Sequence, residues 1–269
     1  MKMSKKRGVL TQCLTPNFVD LLVTFALITV AIPIVIFFEV RPLISTIYFF
    51  ILPSLYLLWR KPKNLVRTFA GSFLIGIVFG FSFDFVAIVN NAWADGNGQL
   101  IFGHIFDVVP IDHIIWFFFW AFIIIVFYEH FLEHENTNRI SKNYIYAALP
   151  TIFIAIAVPI VHFINPNVFL MGYAYLVLGI FATLPLVLLV WKKPHLAIKF
   201  LKIAPFFFIL FLAFELTALY LNQWMFLGEY IGYVEILGLR FPIEEFFFWI
   251  CVSSMVVLSD YEILVDDLQ

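Results

Sequence analysis

The stretch WRKPKNLVRTF, residues 59–69, returns as WKKPHLAIKFL at residues 191–201. A second pair flanks it, since AIPIVIFF from Ala31 recurs as AVPIVHFI from Ala157. The first half carries Asp84, Asn91, Trp93, PIDH at 110–113 and Tyr128-Glu129. The second carries Glu215, Asn222, Trp224, PIEE at 242–245 and Tyr261-Glu262 in the same order, with separations that differ by at most one residue. Self-similarity at a fixed period is the signature of a duplicated architecture. We read the chain as two tandem repeats, residues 1–139 and 140–269.

Composition decides the solvent. Of 269 residues, 63% are hydrophobic, 35 are Phe and only 13% are charged, too little polar surface for a soluble domain of this length. Apolar runs near residues 18–38, 43–59, 66–90, 111–130, 144–164, 168–191, 201–221 and 243–259 each approach the roughly 20 residues that span a hydrocarbon core of about 30 Å. The expected fold is an all-α membrane protein of about eight transmembrane helices, four per repeat. An even number of spans per half makes the repeats parallel in topology.

The loops agree with that number. Basic residues cluster in KMSKKR, RKPKNLVR, RISKN and KKPHLAIKFLK, all on one side of an eight-span chain, while the other side carries Arg41 and Arg240. The positive-inside rule then puts both termini in the cytoplasm and the PIDH and PIEE segments outside. The first apolar run is too long for a signal-peptide core and lacks a small-residue cleavage site, so it reads as a retained span. Cys13 and Cys251 are too far apart in the chain to suggest a disulfide framework. A net charge of −2 with no basic stripe speaks against nucleic acid as a partner.

In RFPIEEFFFW, residues 240–249, two carboxylates follow a proline at the head of an apolar run. A proline-led helix start with hydrated acids at the membrane surface accounts for this as well as chemistry does. Asp84 and Glu215 tip the balance, because a carboxylate inside a span is costly and marks a functional candidate. Each lies two helical turns before a polar-aromatic pair, Asn91/Trp93 or Asn222/Trp224, that leads toward the next acids. The rings have two readings of their own: an interfacial belt facing lipid, or cavity walls that stabilise a cation. The pair His130/His134 sits in a connector expected to be solvated, and no histidine spacing supports a metal site. Phosphate-binding glycine loops and a nucleophile elbow are absent from the sequence, which leaves acid–base chemistry on an apolar molecule with no cofactor.

The order acid, Trp, P-I-E-E, aromatic run and Tyr-Glu, present twice, resembles the heterodimeric-type lycopene cyclase domain family. FPIEEFFFW is close to that family's P-[LIV]-E-[ED] box, and the similarity covers spans 2–4 and 6–8, about three quarters of the chain. Spans 1 and 5 are additional to the three helices per half usual in the family. The resemblance implies a cofactor-independent isomerase that closes β-ionone rings on lycopene or a related polyene. It also implies a carotenoid or other isoprenoid substrate, and leaves room for association with other membrane enzymes of carotenoid synthesis.

On this reading Glu244 or Glu245 donates the proton, Glu215 positions the pair or takes the proton back, and Trp224 walls the cation. By the repeat, Asp112, Asp84, Trp93, Asn91 and His113 are the first-half candidates, with Asn222 and Phe248 toward substrate. PIDH has Asp112 and His113 where the family has two longer acids, so the first half is active with a shorter acid, binds without catalysis, or serves another polyene. A proton-coupled transporter and a non-catalytic scaffold with a cyclase-like fold are the competing functions.

Overall fold

Apolar segments in lipid must satisfy their backbone hydrogen bonds internally, which favours long helices. The structure, a computed structural model, describes residues 16–96, 99–133 and 137–265; the KMSKKR cluster, Cys13 and His134 lie outside them. Among the described residues six helices are long and apolar enough to cross a membrane: α1 (Pro16–Phe37), α2 (Pro42–Arg60), α3 (Leu65–Val89), α4 (Ile111–Phe131), α5 (Asn143–Ile164) and α6 (Ala174–Lys192). Two further pairs, α7 (Pro194–Leu201) with α8 (Ala204–Tyr220) and α9 (Glu245–Cys251) with α10 (Ser253–Leu264), are each bent by 53° and bring the number to eight if each pair is one span. The architecture is that of an all-α membrane protein.

α3 and α4 form the centre and α5 and α6 the rim: 61% of the apolar window of each central helix is buried, against 17% and 22% in the outer two. Large side chains such as Phe153 and Phe181 are exposed on the rim, which suits a helix face turned to lipid rather than water. The core joins α4 and α10 and is rich in rings, including Phe50, Phe207, Phe211, Phe214 and Trp249.

Each copy of the repeated basic stretch places a cation over a tyrosine of the other half. Arg67 lies 5.8 Å from the ring centroid of Tyr261, and Lys199 lies 4.7 Å from that of Tyr128. The two tyrosines cross over, Tyr128 donating to Glu262 and Tyr261 to Glu129. Asn64 Nδ2 donates to the other oxygen of Glu129 at 2.6 Å. Buried carboxyl groups need such partners, and these tie α4 to α10 at the end of the bundle away from the hairpins described next.

At the opposite end, α3 and α8 stop in the same manner. Asn91 and Asn222 adopt left-handed φ of 54° and 50°, and the next residues, Ala92 and Gln223, donate back to Ala87 and Ala218 at 2.9 Å. This pattern closes a helix, and asparagine tolerates the left-handed turn. The chain then forms short strands outside the helical expectation. β1 (Ala94–Asp95) pairs antiparallel with β4 (Trp224–Met225), setting Asp95 opposite Trp224. β2 (His104–Ile105) pairs with β3 (Val109–Pro110), and β5 (Tyr233–Ile236) with β6 (Leu239–Pro242). The last two hairpins feed straight into α4 and α9, so that strand pairing aims the PIDH and PIEE segments.

Candidate active site

One cavity, of about 140 Å³, opens among α3, α4, α6, α8 and α9. Asp84, Asp112, His113, Glu215 and Glu245 all line it, as do Trp93, Trp224 and Phe248. The two halves therefore share one site. No lysine or arginine is among the lining residues. On α4, His113, Trp116, Phe117 and Trp120 fall at i, i+3, i+4 and i+7, which is one face of a helix. Glu245, Phe248 and Trp249 reach the cavity from α9, a π-helical segment of the kind that often marks functional positions.

The aromatic run is wall rather than belt where it meets this cavity. Trp249 lies 4.8 Å from Trp116 and 5.3 Å from Trp120 between ring centroids, and stacks on Phe211 at 4.7 Å. The indole nitrogens of Trp116, Trp120 and Trp249 have no hydrogen-bond acceptor. Trp59 and Trp191 are exposed, at 77% and 78%, and fit the belt reading.

At the second-half end, Trp224 Nε1 donates to Glu215 at 3.0 Å. Glu245 accepts from the Tyr175 hydroxyl and lies within hydrogen-bonding reach of Glu215. Both carboxyl groups are buried. The first-half end repeats the indole contact, Trp93 Nε1 donating to Asp84 at 2.8 Å, but has an imidazole where the second half has Glu245. His113 Nδ1 lies 2.9 Å from Asp84 Oδ2 and Nε2 lies 2.8 Å from Asp95 Oδ1. Trp93 packs edge-on against Tyr175, 5.2 Å between centroids, and so links the two ends.

Other candidates are held elsewhere. Asn91 and Asn222 do not line the cavity and act as helix terminators. Glu244 also stays outside it; its Oε1 accepts from the backbone N–H of Ile231 at 2.7 Å. Asp112 touches the cavity, yet its two oxygens accept from the backbone N–H groups of Ile101 and Phe102 at 2.9 and 2.8 Å. Glu244 and Asp112 thus anchor equivalent loops. His130, expected to be solvated, is buried, 3.0 Å from Asp20 Oδ2. Asp20 also accepts from Tyr56 and from Arg60 at 2.9 and 2.7 Å, which compensates the carboxylate so close to a helix interior.

Asp95 and Tyr175 were not singled out from sequence. Asp95 stands two residues after Trp93, a signal without a second-half counterpart, since Phe226 takes the matching place. Tyr175 corresponds to Leu43, so the repeat offered no acid–hydroxyl pattern to find it; both residues line the cavity. Tyr175 also borders a second, polar recess that includes Asn90 and Glu229. Near that recess Tyr230 donates to Ala92 O at 2.7 Å, and burial pushes its hydroxyl up to about 12, so it stays a donor.

Among the described residues no group of three or more His, Cys, Asp or Glu is arranged to hold a metal ion. Comparison with protein-family models, with curated proteins and with solved structures finds no match.

Proposed function

We propose that this chain is a proton-initiated cyclase of an acyclic polyene, built as two parallel four-helix repeats with both termini on the cytoplasmic side. The observation that carries the reading is the meeting of Glu215, Glu245, Asp84 and His113 in one cavity walled by tryptophan and phenylalanine. Two carboxyl groups in hydrogen-bonding reach, with no lysine or arginine among the lining residues and His113 paired with Asp84 and Asp95, cannot both carry charge at tolerable cost, so the pair holds a proton between them. Glu245, steadied by Tyr175, delivers that proton to the terminal double bond of a bound isoprenoid end. The tertiary cation is attacked by the next double bond, and loss of a ring proton completes an isomerisation with no redox change.

Indole faces stabilise a cation without capturing it, which a nucleophilic wall would do. The bilayer itself delivers so apolar a substrate. A single cavity treats one end of a polyene at a time, so a two-ringed product requires release and re-entry. Lycopene is the proposed substrate on the resemblance stated above. The test is expression in lycopene-accumulating bacteria with separation of the extracted carotenoids. The wild-type chain is expected to form γ-carotene or β-carotene and Glu245→Gln to leave lycopene unchanged; unchanged lycopene with well-expressed, folded wild type overturns the assignment.

A further inference from the structure

We propose that the two halves divide the proton chemistry, Glu245 with Glu215 donating to the substrate and the Asp84–His113–Asp95 cluster receiving the proton that the ring gives up. This rests on the cyclase reading, and it makes the PIDH half a chemical partner rather than a weakened copy. His113 meets a carboxylate oxygen at each ring nitrogen, at 2.9 and 2.8 Å. Carboxylates only accept, so two hydrogens fill these two bonds and the cluster keeps one net negative charge, wherever the hydrogens sit. Imidazole thus stabilises an anion at this end.

The opposite end has no such cation. Glu245 stands where His113 stands in the first half, facing Glu215 as His113 faces Asp84. Glu215 Oε2 meets no N–H or hydroxyl donor among the described residues, which leaves the Glu245 carboxyl to face it. A carboxyl pair in that setting retains a proton and can release it, whereas the cluster carries a charge that a proton would cancel.

The balance is complete without a further reagent. The Glu245 O–H bond breaks as a C–H bond forms at the inner, CH carbon of the terminal double bond, leaving the tertiary cation on the dimethyl carbon. The next double bond supplies the electrons for the ring-closing C–C bond, and the cation moves into the ring. A ring C–H bond then breaks, its electrons form the ring double bond, and the proton passes to the Asp84 carboxylate at the cavity wall. Solvent resets both ends: the Asp95 side chain is 19% exposed and lets the cluster shed its proton, while Tyr175, shared with the polar recess, stands where a proton returns to Glu245.

The experiment uses the full-length chain in detergent micelles with lycopene in D2O, comparing wild type with Glu245→Gln, Asp84→Asn and Asp95→Asn. Glu245→Gln is expected to lose both ring closure and deuterium uptake by about 100-fold or more. Asp84→Asn is expected to lose the normal ring product to a similar degree and still place deuterium in recovered lycopene or in a ring with a shifted double bond, because protonation survives. Asp95→Asn, at a partly exposed site, is expected to give the same pattern more weakly. The proposal is overturned if Asp84→Asn and Asp95→Asn lose deuterium uptake along with ring closure, or if both form the normal product at the wild-type rate. A wild-type chain that closes no ring and takes up no deuterium overturns the cyclase reading itself.

Discussion

The hydroxyl of Tyr175 donates a hydrogen bond to the Glu245 carboxyl across 70 residues of sequence. This contact fixes the acid at the head of α9 against α6 and is, among the described residues, the polar side-chain tie between those helices inside the aromatic cavity that the proposed chemistry uses. Tyr175→Phe removes the donor and little volume. Ring formation is expected to fall about 10- to 100-fold, the equivalent of about 1.5–3 kcal/mol for a hydrogen bond to a charged or charge-bearing group, with the chain still folded. Carotenoid separation beside a thermal melt in detergent checks it; unchanged turnover would remove Tyr175 from the site.

Gly179 is where α6 makes room for Phe248. A methyl group at this position would sit 2.2 Å from the Phe248 ring, a distance at which the ring or the backbone of α6 must move. Gly179→Ala is expected to lower the melting point by the equivalent of about 1–3 kcal/mol and to shift Phe248 into the cavity. Adding Phe248→Ala should recover most of the lost stability, and failure to recover it would mean that the backbone of α6, rather than the ring, yields.

Glu244 and Glu245 are neighbours with different surroundings, Glu245 lining the cavity and Glu244 outside it. Glu244 Oε1 accepts from Ile231, and a glutamine retains an acceptor oxygen there. Glu244→Gln is therefore expected to keep activity within a few-fold while Glu245→Gln loses it, and Asp112→Asn should behave as Glu244→Gln does. Product ratios from the three variants decide the matter, and equal losses at Glu244 and Glu245 would contradict the division.

The crossed pairs Tyr128–Glu262 and Tyr261–Glu129 hold α4 to α10 far from the cavity. Removing either hydroxyl leaves a buried carboxyl short of a donor, which costs about 1–3 kcal/mol. Tyr128→Phe and Tyr261→Phe are each expected to lower stability by that amount in a detergent melt while the product pattern stays as in wild type.

Gly96 directly follows β1, and its N–H donates to Gln223 O at 3.0 Å, just before β4. A Cβ would stand 2.0 Å from the carbonyl oxygen of Asn222, so Gly96→Ala must part the strands that set Asp95 opposite Trp224. Loss of the normal ring product with only a modest change in melting point is expected; a wild-type product rate would show that Asp95 keeps its position without that pairing.

Much of the site was legible because the chain states its pattern twice. Asp84 and Glu215, each nine residues before a tryptophan, bond to that tryptophan in both halves, and the PIDH and PIEE segments do face the same cavity. Asp95 was not legible, because its contact with the cluster is made through His113, a residue that breaks the repeat. Tyr175 was hidden in an apolar span whose counterpart carries leucine. The division between Glu244 and Glu245 was equally out of reach, since adjacent residues on a helix point in different directions and only the preceding hairpin sets which one turns inward.

By itself, then, the sequence determined the apolar helices, through their length and composition, and the positions of the costly acids within them, because hydrophobic runs and charge are properties of local sequence. The tertiary structure decided that the two halves share one cavity, that Glu245 and His113 occupy matching places with opposite hydrogen-bonding needs, and that Arg67 and Lys199 of the repeated basic stretches lie over Tyr261 and Tyr128 of the opposite halves. Those outcomes depend on which helix faces meet across more than a hundred residues of chain, and packing between helices, rather than any local preference, selects them.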